Sequence, residues 1–138
     1  MTAQDVVLIA RDDGICTVTI NRPEKRNALT AEVGRRLTEA FRQLGGDPEA
    51  RVAILRGAGE LAFCSGYEIS ELDELRDPET ADPIESARVA IETCPVPVIA
   101  MIRGYCTAGG LGLAVSFDMR LAADDAHLGM TPAKLGLV

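Results

Sequence analysis

Along this chain the spacing of apolar positions switches repeatedly between the period of a strand and that of a helix. Val6 to Ala10 and Ile15 to Asn21 read as two strands, joined by a hairpin turn at Arg11-Asp12-Asp13-Gly14 with its Asp-Gly signal. In the second, Ile15, Thr17 and Thr19 alternate with Cys16, Val18 and Ile20, so one face is wholly apolar. Arg22-Pro23 ends it, and the segment to Asn27 is charged and irregular. Leu29, Val33, Leu37, Phe41 and Leu44 then recur at helical spacing, with Thr30 as N-cap, Glu32 in the first turn and Gly45-Gly46-Asp47-Pro48 as the stop. Val52 to Leu55 reads as a third strand, and Leu61 to Cys64 as a short apolar segment. Tyr67 to Leu75 reads as a helical piece with Ile69, Leu72 and Leu75 inward. Arg76 to Pro83, with two prolines and four charges, reads as a mobile surface loop. Asp82-Pro83-Ile84-Glu85 has the residues of a helix start, for a helix to about Thr93 that Pro95 and Pro97 end.

The stretch from Pro97 to Asp118 carries the most information. Val98 to Ile102 reads as a buried strand, Arg103-Gly104-Tyr105 breaks the pattern, and Gly109-Gly110 opens an apolar helix from Leu111 to Phe117. Met119 to Ala122 is a further strand, Asp124-Asp125 a turn, and His127 to Gly129 an extended piece. Thr131 to Lys134 has the residues of another helix start. Helices between apolar strands imply a layered α/β fold with right-handed crossovers, and 138 residues suit one domain.

A net charge of −7 argues against a nucleic-acid binder, which would show a basic face. The local cluster Arg22 to Arg26 still allows an anionic ligand. No apolar run approaches the roughly 20 residues that span a bilayer, and Met1 to Asp5 lacks the basic and apolar regions of a signal peptide. Cys16, Cys64, Cys94 and Cys106 form no C-x-x-C pair, and His127 is the single histidine, so no zinc site is expected. Reduced cysteines in a cytoplasmic protein are the expectation.

Two segments share one design. Phe63-Cys64-Ser65-Gly66-Tyr67 and Cys106-Thr107-Ala108-Gly109-Gly110 each place glycine in a turn ahead of a helix. Glycines there can serve tight turning alone. If the preceding strands are neighbours, the two turns can also aim main-chain N–H groups into one space, where they would stabilise an oxyanion. Cys64 and Cys106 flank that space and read as buried structural thiols, and Asp118 as a partner for backbone donors. Glu68 and Glu71 are the nearest carboxylates, and Glu71-Leu72-Asp73-Glu74 reads as a solvated helix face.

The segments Thr17 to Thr30, Ala62 to Leu72, Pro97 to Ala114 and Phe117 to Gly129 together resemble the enoyl-CoA hydratase/isomerase family, the crotonase superfamily. The resemblance runs along the whole chain in order. It implies a crotonase-like ββα spiral, here its N-terminal half, over residues 1–138 and without the C-terminal helical part. It implies an acyl-CoA thioester as ligand, with coenzyme A entering only as part of the substrate and no other cofactor. The main-chain N–H groups of Tyr67 and Gly109 match the family's oxyanion hole. Ser65, Tyr67, Glu68, Ile69 and Ser70 match the segment that touches the acyl and CoA portions. Arg26, Ala28 and Leu29 fall in the loop near the CoA nucleotide. Glu68 stands where the family has a usually structural aspartate. Family members form trimers or hexamers, much of whose trimer contact lies in the half missing here.

Two departures shape the expected chemistry. The family's hydratases carry two glutamates that position and activate water; the matching positions are Gly112 and Pro132. Other members keep the oxyanion hole and move or omit the acid and base. GGLGLA resembles the dehalogenase type, and Met130-Thr131-Pro132 with Leu135-Gly136 resembles methylmalonyl-CoA decarboxylases. The leading expectation is an acyl-CoA-binding protein that stabilises a thioester enolate. The alternatives are a non-catalytic remnant or binding module, or a decarboxylase- or hydrolase-type member that needs a second chain.

Overall fold

The structure is a computed structural model that describes residues 4–75 and 77–131. Strands β1 (Val7–Asp12) and β2 (Ile15–Ile20) form an antiparallel hairpin. Its turn closes on Asp13 and Gly14, both at positive φ (46° and 80°), the geometry that matches the twist of the flanking strands. The first strand therefore starts and ends later than the apolar run suggests, and Arg11 and Asp12 belong to it. A 3-10 turn at Pro23–Lys25 leads to α1 (Ala31–Gly45). Thr30 caps α1 as expected, its hydroxyl accepting from the Val33 N–H at 3.1 Å.

Next come β3 (Val52–Gly57), β4 (Ala62–Cys64), a 3-10 turn at Ile69–Glu71 and the single-turn α2 (Leu72–Leu75). Helix α3 (Pro83–Glu92) starts at Asp82, whose carboxylate accepts from the Ile84 N–H at 2.8 Å. The chain continues through β5 (Val98–Ile102), β6 (Tyr105–Thr107), α4 (Gly109–Ala114), β7 (Met119–Ala122) and β8 (His127–Gly129).

Two sheets result, ordered β1-β2-β3-β5-β7 and β4-β6-β8. All pairings beyond the first hairpin are parallel. From β3 onward successive strands alternate between the sheets, and each lies beside its predecessor in the same sheet. The inward positions Cys16, Val18, Ile20, Ala53, Leu55, Val98 and Ala100 are buried with Val33, Leu37, Phe41 and Leu44 of α1 and Ile84, Ala87 and Ile91 of α3. Gly34 allows the two helices to touch: a Cβ there would lie 2.7 Å from the Pro83 carbonyl. Asp118 accepts from the Val98 N–H at 2.7 Å, so it does serve a backbone donor.

Three expectations need correction. The Arg103-Gly104-Tyr105 break lasts only to Gly104, because Tyr105 is held as the first residue of β6 between β4 and β8. The helix expected from Tyr67 to Leu75 is two short pieces, because the chain at Tyr67 is extended and paired with Leu29. Of its three expected inward residues only Leu75 is buried, and Ile69 is 74% exposed. Finally, Glu71 is not merely a solvated face residue, since its carboxylate accepts from the Ala31 N–H at 3.1 Å. An acid at the first turn of α1 also suits the helix dipole. The helix start expected at Thr131 to Lys134, and Pro132 with it, lies largely outside the described residues.

Candidate active site

The two glycine turns are neighbours. Cys64 of β4 and Cys106 of β6 are register partners on adjacent parallel strands, so both chains leave the small sheet side by side. The Thr107 hydroxyl donates to the Ser65 carbonyl at 3.2 Å. Gly66 has φ +107°, and a Cβ on it would lie 3.0 Å from the Ala108 Cβ and 3.1 Å from the Gly109 nitrogen. The Tyr67 ring lies over the second turn: a Cβ on Gly109 would sit 3.0 Å from two of its carbons. Ala108, at φ 51° and ψ −122°, is held outside the regions that residues with a side chain prefer, a strain of about 1–3 kcal/mol. Its N–H donates to the Gly129 carbonyl at 2.9 Å, which anchors the turn to the end of β8. Gly109 opens α4, where N–H groups have no acceptor within the helix.

The 22–31 segment clamps the first turn from the other side. Leu29 donates its N–H to the Gly66 carbonyl at 2.7 Å and accepts from the Glu68 N–H at 2.8 Å, while the Ser65 N–H donates to the Arg26 carbonyl at 3.1 Å. Arg22 donates to the Ala28 carbonyl at 2.9 Å and pairs with the Glu68 carboxylate at 3.4 Å. Asn27, fully buried and at φ 55°, donates to the carbonyls of Ala58 (3.0 Å) and Ala62 (2.8 Å) and accepts from the Arg22 N–H at 2.9 Å.

The residues expected at the site thus divide into two groups. Arg26, Tyr67, Ile69 and Ser70 are exposed, and Ser65, Glu68 and Gly109 are half-buried. The Ala28 and Leu29 side chains lie in the interior. Leu29 spends both main-chain groups on the turn, and Glu68 is engaged by Arg22 and by the Ser70 hydroxyl at 3.4 Å. Gly112, one turn into α4, faces open space: nothing lies within 4 Å of where its Cβ would be. Arg22, Asn27 and Glu71 were not marked by the sequence as organisers of the site.

Cys64 and Cys106 are buried as expected, and burial pushes their thiols up to about 12 and about 11. Thiolate is the reactive form. Iodoacetamide at pH 8 should therefore modify the half-buried Cys94 in the native protein and spare Cys64 and Cys106 until denaturant is added. Peptide mass spectrometry would check this. Among the described residues no His, Cys, Asp and Glu cluster could hold a metal ion, and no helix is long and apolar enough to cross a membrane.

A model of the enoyl-CoA hydratase/isomerase family matches residues 10–138. The chain belongs to the enoyl-CoA hydratase/isomerase family. A crystal structure of an enoyl-CoA hydratase/carnithine racemase from Magnetospirillum magneticum superposes with a TM-score of 0.88 at 40% identity, covering 99% of this chain and 53% of that one. The enoyl-CoA hydratase from Bacillus anthracis gives 0.87 at 28% identity, covering 97% and 54%. The (E)-benzylidenesuccinyl-CoA hydratase of Thauera aromatica is 35% identical over 123 residues, 88% of this chain and 48% of that protein. The fold is therefore of the crotonase type, and the chain spans about half the length of the curated enoyl-CoA hydratase/isomerase relatives it matches.

Proposed function

We propose that this chain binds an acyl-CoA thioester and stabilises its enolate, with the thioester oxygen held between the main-chain N–H groups of Tyr67 and Gly109. The observation that carries the reading is the contact between the two turns, with Gly66 and the Tyr67 ring packed directly on Gly109. Two donors fixed beforehand stabilise charge that develops on the oxygen without reorganising as it forms. Exposed Arg26 is available to the CoA phosphates, and Ile69 and Ser70 to the pantetheine and acyl portions. Gly112 leaves the helix without a carboxylate where the family's hydratases carry one, so the proposed chemistry is enolate stabilisation rather than water addition. A cytoplasmic location belongs to the same proposal.

The open position at Gly112 also favours a second reading, a binding module without turnover. Calorimetric titration with acetyl-CoA, crotonyl-CoA and methylmalonyl-CoA tests the first step, and saturable binding of at least one at a 1:1 ratio is expected. Absence of binding to all three would overturn both readings. Incubation with crotonyl-CoA and methylmalonyl-CoA, followed by chromatography, then separates them. Loss of carbon dioxide from methylmalonyl-CoA without hydration of crotonyl-CoA supports an enolate-stabilising enzyme; binding with no product supports the module.

A further inference from the structure

Tyr67 brings an aromatic ring to the junction of the two turns. Both peptide groups that flank it are pinned to Leu29: the Gly66 carbonyl accepts from the Leu29 N–H at 2.7 Å, and the Glu68 N–H donates to the Leu29 carbonyl at 2.8 Å. This pairing keeps the chain at Tyr67 extended. Side chains alternate in direction along an extended chain, and the Glu68 carboxylate turns to Arg22 at 3.4 Å. Tyr67 points the other way, toward the first turn of α4. There the site of a Gly109 Cβ is 3.0 Å from both Cδ2 and Cε2 of the ring. Glycine at 109 leaves the space that this edge of the ring occupies. The ring is thus held through its backbone and along one edge, yet the residue stays 38% exposed. The edge against Gly109 serves the packing of the turns; the exposed remainder is what a ligand can meet.

An aromatic ring offers a ligand more than apolar area. Its negative face and positive edge favour a second ring, offset-stacked or edge-on, over a saturated group of the same size. A ring already fixed in place also loses little freedom when a ligand meets it. The inference rests on the thioester reading above, in which the oxygen sits at the Tyr67 N–H. The ring belongs to the same residue as that donor, so it flanks the acyl chain at its first carbons.

We propose that the Tyr67 side chain determines acyl specificity and selects thioesters with an aryl group on the α carbon, the arylacetyl class. Such a thioester keeps the α hydrogen that enolate formation needs. Calorimetric titration compares phenylacetyl-CoA with cyclohexylacetyl-CoA, which differ in aromaticity at equal ring size, with crotonyl-CoA as reference. Phenylacetyl-CoA is expected to bind about fivefold tighter than cyclohexylacetyl-CoA. Tyr67→Phe should keep that preference. Tyr67→Leu retains the main-chain donor and apolar bulk, and should bind the two ligands about equally. A second measurement needs no variant of Tyr67. The chain has only two tyrosines, so with their rings isotope-labelled phenylacetyl-CoA should shift the Tyr67 NMR signals and spare those of Tyr105, which Tyr105→Phe assigns. The proposal is overturned if the protein does not prefer phenylacetyl-CoA, if Tyr67→Leu keeps the preference, or if the Tyr67 signals stay in place. In each case binding of crotonyl-CoA leaves the thioester reading standing. Failure to bind any of the three overturns that reading and the proposal together.

Discussion

Gly110→Ala should lower the stability of this protein by about 3 kcal/mol or more, whereas Gly112→Ala should raise it by about 0.5–1 kcal/mol. The two glycines are two residues apart in one six-residue helix. A Cβ at position 110 would stand 2.2 Å from the Cys64 carbonyl oxygen and 2.8 Å from its carbon. Neither atom belongs to a flexible side chain, so relief requires α4 to move away from β4. That movement separates Gly109 from Gly66, so under the proposed function the variant should also lose acyl-CoA binding at temperatures where it stays folded. At position 112 a methyl group meets nothing and only reduces the freedom of the unfolded chain. Urea denaturation of both variants checks the opposite signs. Equal effects would mean that α4 does not rest on β4 as closely as described.

Replacing Asn27 should be nearly as costly. Asn27→Ala would strip a fully buried site of three hydrogen bonds and leave two carbonyls and one N–H without that partner, a loss of about 3 kcal/mol. It also places alanine at a φ of 55°, where asparagine is tolerated better. Asn27→Asp is the sharper variant. Its carboxylate would face the Ala58 and Ala62 carbonyls where the amide now donates, so the folded state favours the protonated acid. A group that binds its proton more tightly when folded stabilises less as pH rises. Asn27→Asp should therefore be less stable at pH 7 than at pH 5 by a wider margin than the parent protein. A margin independent of pH would show that the side chain turns away from the two carbonyls.

These two positions mark where the sequence stopped being informative. Helix α1 was legible in full because its signals are local: an apolar residue at each turn, a threonine cap and a glycine stop. Strands β3, β5 and β7 were legible as apolar runs, and the two glycine turns stood out as a pair. Strand β6 was not legible, because Tyr105–Thr107 has three residues and no alternation of its own; its neighbours on both sides make it a strand. Asn27 and Glu71 escaped for a related reason. Each acts on main-chain groups from another part of the chain: Asn27 on Ala58 and Ala62, Glu71 on Ala31. Nothing in the residues around them announces that distance. Tyr67 was assigned to a helix by its apolar neighbours, and the pairing with Leu29 that keeps it extended is equally remote in sequence.

The small sheet also bears on the order of folding. Its strands have three residues each, and its pairings join Ala62 to Tyr105 and Tyr105 to His127. Such contacts gain little until long loops have closed, and loop closure must come first. The hairpin of β1 and β2 and the helix α1 can form early from local contacts. The Tyr67 and Gly109 turns can meet only after β5 has docked and β6 has been laid beside β4. The contact between the two turns is thus assembled late, and by the same economy of contacts it should be among the first parts to open in the native state.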